Sequence, residues 1–158
     1  MTQTTLIGRL LLGALYTSIA VAVVATAMLT VSGETAHSPK VLIGGEEIMV
    51  MIADTAELQK RGLSGHAELK PNEGMLFVFP QPGFYGFWMK DMLFPIDIIW
   101  FDEKRQIVDV WEKATPNSYP KRFTPQGEAM YVLEVKAGFY DAYHLRIGDK
   151  MSYTLYRK

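Results

Sequence analysis

From Leu10 to Gly33 the chain carries no charged residue. At helical rise such a run spans a hydrocarbon core of roughly 30 Å, and a small soluble domain has no interior long enough to hide it. It therefore belongs in a membrane or is removed. Arg9 is the one charged side chain before it, and Glu34 follows it. That asymmetry puts the N-terminus in the cytoplasm and the rest on the extracytoplasmic, periplasmic side. Residues 1–34 read as a signal peptide or an uncleaved membrane anchor. Ala25-Thr26-Ala27 has the small-x-small form of a cleavage site, while the apolar continuation from Met28 to Val31 suits a transmembrane helix. Residues 35–40 read as a polar linker and 41–158 as one globular domain. The expected place is the cell envelope, with the N-terminal helix as the membrane contact.

What remains must fold with little help from covalent chemistry. The chain has no cysteine, so it has no disulfide framework, thiolate metal site or cysteine nucleophile. Its formal net charge is -1, which removes the electrostatic case for binding nucleic acid, and such a partner is not expected.

Past residue 40 the apolar residues come in short runs broken by glycine and proline. "KVLIGGEEIMVMIAD" reads as a hairpin turning at Gly44-Gly45, where two residues must take positive φ. Ile48, Val50 and Ile52 then share one face, and Met49, Met51 and Ala53 the other, so this strand is expected to be covered on both sides. Asp54 and Glu57 have the spacing of a capping box, with Gly62 as the stop of a short helix. "MLFVF" is a strand, "PQPG" a turn and "FYGFWMK" a further strand. Pro95 separates that strand from "IDIIWF". "QIVDVWE" returns as a hairpin, and "MYVLEV" and "MSYTLY" supply more strands. "AGFYDAYHL" supplies a second short helix. Ala114 to Gly127 holds three prolines and reads as a long loop, of a kind that is either functional or mobile. The class is α+β, mainly β: a small curved antiparallel sheet or barrel-like domain with two short helices.

The stretch "FWMKDMLFPIDIIWF" holds Lys90, Asp91 and Asp97 within an apolar run. Alternation places Asp97 on one face with Ile99 and Phe101. A carboxylate there must be paired or hydrogen-bonded. Lys90, Arg61 or backbone amides of the Pro95 turn are the expected partners. Together with "NEGMLFVF", "YVLEVKAGF", "RGLS" and the late "GD", this stretch resembles the domain of unknown function 192 family over about Val41 to Tyr156. The sequence departs from that pattern at Ser64, where the family often has Met, and at Asp91-Met92, where it often has Asn-Thr. The resemblance implies a small mixed, mainly β fold and no particular reaction.

The polar residues inside these segments, with the aromatic and sulfur neighbours beside them, define a candidate pocket: Glu73, Trp88, Met89, Lys90, Asp97 and Glu134. It would take a small ligand, an envelope polymer or a partner protein. The alternative is an envelope hydrolase or lyase with Asp97 or Glu73 as acid/base and Lys90 stabilising negative charge. No catalytic residue is assigned. Met49, Met51, Met75, Met89, Met92 and His66 lack the clustering of a soft-metal site, so neither metal nor cofactor is expected.

Overall fold

The computed structural model describes residues 38–154. Residues 1–34, expected to be a signal peptide or membrane anchor, lie outside them. Among the described residues, no helix is long and apolar enough to cross a membrane.

Gly44 and Gly45 take φ of 59° and 84° and join β1 (Lys40–Ile43) to β2 (Glu46–Ala53) as the expected hairpin. Helix α1 (Ala56–Arg61) follows. Its cap is Thr55 rather than Asp54: the Leu58 amide donates to Thr55 Oγ1 at 3.3 Å. The capping-box spacing was one residue out of register with the helix. Gly62 closes α1 as expected, at φ 53°.

The other strands are β3 (Glu73–Gly83), β4 (Phe87–Trp88), β5 (Ile96–Phe101), β6 (Ile107–Ala114), β7 (Arg122–Phe123), β8 (Ala129–Lys136) and β9 (Ser152–Thr154). Helix α2 is Phe139–Ala142. Seven strands form one sheet in the order β6-β5-β8-β3-β2-β1-β9. The sheet is mixed, which corrects the antiparallel expectation. β2 and β3 pair in parallel, because α1 and the segment to Asn72 return the chain to the end of the sheet from which β2 began. "PQPG" is no separate turn but the end of β3, where the register against β8 shifts between Val78 and Gly83. β4 and β7 stand apart as a two-stranded ribbon, so "FYGFWMK" contributes only Phe87 and Trp88 to a strand, and the Ala114–Gly127 segment contributes Arg122 and Phe123.

The main sheet curls until its two edges touch. Gln106, at the entry to β6, bridges Lys150, before β9. Ile107 N donates to Asp149 O at 2.9 Å, and Gly148 N donates to Ile107 O at 2.8 Å. One core therefore lies inside the curl and draws on both edges, with Val41, Ile99, Phe101, Ile107, Leu133 and Met151 among its members. A second core covers the other face, with Phe77, Ile98, Trp100 and Val132 under α1 and the β4–β7 ribbon. This explains why all six residues of β5 are buried: the strand lies between β6 and β8 and has a core on each side. The alternation read for Ile96, Ile98 and Trp100 against Ile99 and Phe101 matches these two cores. β2 is less covered than expected, with Met49 and Met51 each 38% exposed.

Candidate functional site

In the sheet, Met75, Glu134 and Ile98 are cross-strand neighbours on β3, β8 and β5, so their side chains rise from the same face. That is the face under α1 and the ribbon. Glu134 thus stands among apolar neighbours where the outer core opens into a cleft of about 380 Å³.

One wall is the end of α1 and its exit turn, from Gln59 to Ser64; the other is Phe84 to Trp88. Both walls are pinned. Gln59 Nε2 donates to the Val78 carbonyl at 2.9 Å and holds α1 to β3. Trp100 Nε1 donates to the Tyr85 carbonyl at 2.8 Å and holds the second wall to β5. Phe87 meets Phe77 edge-on at 4.7 Å between centroids, and Phe79 stacks on Tyr85. The Ser64 hydroxyl and the Gly65 amide donate to the carbonyls of Lys90 and Asp91, both at 2.8 Å, which ties the two walls at one end.

Glu134 is 4% exposed, and its Oε2 has no hydrogen-bond partner. Among the described residues no cation pairs with it, and burial pushes its carboxyl up to about 8. At neutral pH it is therefore a neutral acid, able to donate one hydrogen bond and accept others. Gly62 passes directly over it. A Cβ at that position would lie 3.4 Å from the Phe77 ring and 3.8 Å from Glu134 Oε2, so a larger side chain would roof the carboxyl. Among the described residues Glu134 is the one carboxylate bordering the cleft; the charged groups beside it are Lys60, Arg61 and Arg122. Trp88 and Arg122 are cross-strand partners in the ribbon, with the guanidinium 5.2 Å from the indole centroid.

Of the six candidate pocket residues, the structure brings Trp88 and Glu134 to this cleft. The others are elsewhere. Met89 is buried in the outer core, at 1% exposure. Lys90 is exposed and pairs with its neighbour Asp91 at 3.3 Å, not with Asp97. Glu73 lies at the start of β3, where Lys70 holds it by hydrogen bonds from its ammonium and its amide and lowers its pKa. Asp97 pairs in register with Val135, while Ile98 pairs with Glu134. Asp97 therefore faces the opposite side of the sheet. It is fully buried and satisfied by three backbone amides: Lys113 N at 2.8 Å and Gly138 N at 3.1 Å on Oδ1, and Tyr140 N at 2.9 Å on Oδ2. Neither the expected lysine or arginine partner nor the Pro95 turn supplies them. The carboxylate fastens the start of α2 and the end of β6 to β5. Arg122, Phe84 and Gly62 border the cleft without having been read as site residues; the functional expectation for the long loop was the one sign that pointed toward Arg122.

The model of the DUF192 family, described as "Uncharacterized ACR", matches residues 40–153. The chain belongs to this family. A UPF0127 protein of Thermococcus sibiricus is 33% identical over 110 residues. That alignment covers 67% of this chain and 66% of the relative's length, just under two thirds. A Novosphingobium aromaticivorans protein of unknown function has the same fold by crystal structure, with a TM-score of 0.67, 26% identity and coverage of 75% of this chain and 89% of that one. A Sinorhizobium meliloti protein, named as a candidate transcription regulator, has a TM-score of 0.68 at 24% identity and covers 76% and 97%. At that identity this likeness speaks for the fold alone. Within the DUF192 frame the matched residues take in both sheets and every wall of the cleft.

Proposed function

We propose that this DUF192 chain is a binding domain, carried across a membrane by its N-terminal segment, that takes a ligand into the cleft floored by Glu134. The observation that carries this reading is the Glu134 carboxyl itself. A buried polar group without a partner costs stability, and proteins keep few of them. At the bottom of an aromatic cleft of ligand size, such a group has a use when a ligand supplies the missing partner. An envelope hydrolase or lyase with Lys90 as its cation draws less support: Lys90 is engaged by Asp91, and the described residues bordering the cleft offer one carboxylate where an acid and base pair would need two.

The test is retention. The full chain, purified in mild detergent, is incubated with small-molecule extract, washed and denatured, and the released molecules are weighed. Wild type is expected to release a compound that a Phe84→Ala/Trp88→Ala variant does not retain. Identical or empty profiles from both would overturn the reading. Transport across a membrane is tested separately. The full-length protein is expected either to stay with membranes after alkaline carbonate washing or to be recovered beyond the membrane shortened at its N-terminus. Recovery of full-length protein in the cytoplasmic fraction would overturn it.

A further inference from the structure

We infer that the ligand class of this cleft is an organic oxyanion, a carboxylate or phosphate monoester on a flat apolar body, held between the Arg61 and Arg122 guanidinium groups and the Glu134 carboxyl. The inference rests on the binding reading above and adds the chemistry of the occupant.

The charge pattern decides its sign. Lys60, Arg61 and Arg122 border the cleft, and no ion pair with a described residue engages any of them. Among the described residues that border the cleft the one acid is Glu134, and it forms no ion pair with them. Its burial keeps it protonated at neutral pH, so the described residues bordering the cleft bring three cationic side chains and no anionic one. A ligand ammonium would have to pass three like charges to reach a carboxyl that is not ionised. An oxyanion meets cations at the rim and a hydrogen-bond donor at the floor.

The placement of Arg122 is the second observation. Its guanidinium is held by neutral groups: Nη2 donates to the Gly86 carbonyl at 2.9 Å, and the plane lies by the Trp88 ring. Glycine at 86 leaves room for this close approach. A Cβ at 86 would sit 3.1 Å from Nε and 3.3 Å from Nη2. The arginine is thus oriented without being neutralised, which is the state a bidentate oxyanion site needs. The apolar body follows from the walls: Phe84 and Trp88 stand 58% and 37% exposed at the mouth, beside buried Phe77 and Phe79.

Four probes test this on the full chain by titration calorimetry: phenylacetate, phenyl phosphate, benzylamine and benzyl alcohol. At least one of the two anions is expected to bind tenfold or more tightly than benzylamine or benzyl alcohol. The tighter anion tells a carboxylate source from a phosphate source. Arg61→Gln/Arg122→Gln is expected to weaken that anion tenfold or more with melting unchanged, while Lys113→Gln, outside the cleft, leaves it unaltered. Equal or tighter binding of benzylamine, or no binding of either anion, overturns the oxyanion assignment. The extract experiment keeps the two readings apart. A retained compound that is neutral or cationic defeats the oxyanion class and leaves the cleft as a binding site. An empty profile defeats the binding reading itself.

Discussion

Between pH 4.5 and 8 the folded domain is expected to lose up to about 5 kcal/mol of stability from one residue, and Glu134→Gln is expected to abolish that loss. The carboxyl shifts from 4.5 to about 8 through burial, and each unit is worth about 1.4 kcal/mol. The sign follows from proton counting. Between those two values the unfolded chain has released this proton and the folded chain still holds it. Raising the pH therefore pulls the equilibrium toward the unfolded state. Below 4.5 both states are protonated, and the site has no pH dependence. Above 8 the full cost is present, because the folded chain must then carry an unpaired buried charge. Glutamine has the shape of the neutral acid and never ionises. Urea unfolding at pH 5 and pH 8.5, wild type beside Glu134→Gln, measures the effect. The variant is expected to gain steadily on wild type as pH rises. A difference that does not vary with pH would mean that the carboxyl finds a partner when charged, and the neutral acid in the cleft would be lost with it. Glu73 works in the opposite direction: Lys70 lowers its pKa, so what it adds is present at neutral pH and fades under acid.

The same residue shows where sequence reasoning stopped. In the sequence Asp97 and Glu134 fall together as polar residues inside the motif-bearing segments. Within each strand alternation was legible, and it matched the two cores. Which face of one strand matches which face of another depends on register. The pairing of Ile98 with Glu134 joins segments far apart in sequence. No local pattern states it, and a slip of one residue would have placed Asp97 beside Glu134. Direction is equally non-local. The Gly44-Gly45 hairpin was legible because two glycines at a two-residue turn dictate the pairing, whereas nothing in "MLFVF" says that β3 runs parallel to β2. The ribbon of β4 and β7 was invisible for a related reason. Each strand has two residues, too few for a period, and what holds them is Trp100 Nε1 on the Tyr85 carbonyl and the packing of Phe87 on Phe77. Arg122 gained its place by pairing across to Trp88, a contact that only the ribbon creates.

Substitution of Asp97 is expected to damage the fold and spare the cleft. Its carboxylate takes three amide hydrogen bonds from two separate segments, at the end of β6 and around the start of α2. Lys113 sits there at φ 51° and Gly138 at φ 89°, so both segments turn sharply where the carboxylate receives them. A carboxylate at the start of α2 also meets amides that have no partner within so short a helix. Alanine at 97 would orphan three donors at a fully buried position, at a cost of about 3–5 kcal/mol. Asparagine keeps an oxygen for Lys113 and Gly138 but turns an NH₂ toward the Tyr140 amide, donor against donor. Its cost is about 2–3 kcal/mol. Urea unfolding at pH 7 measures both, and probe binding by whatever folded protein remains separates structure from site. Because Asp97 pairs with Val135 and faces away from Glu134, the affinity of the cleft for its anion is expected to be unchanged in Asp97→Asn. Unaltered stability in that variant would mean that the three amides are held by something other than the carboxylate. A tenfold loss of affinity in folded Asp97→Asn would mean that the two faces of the sheet are coupled, and the separation drawn between a structural carboxylate and a ligand-facing one would fail.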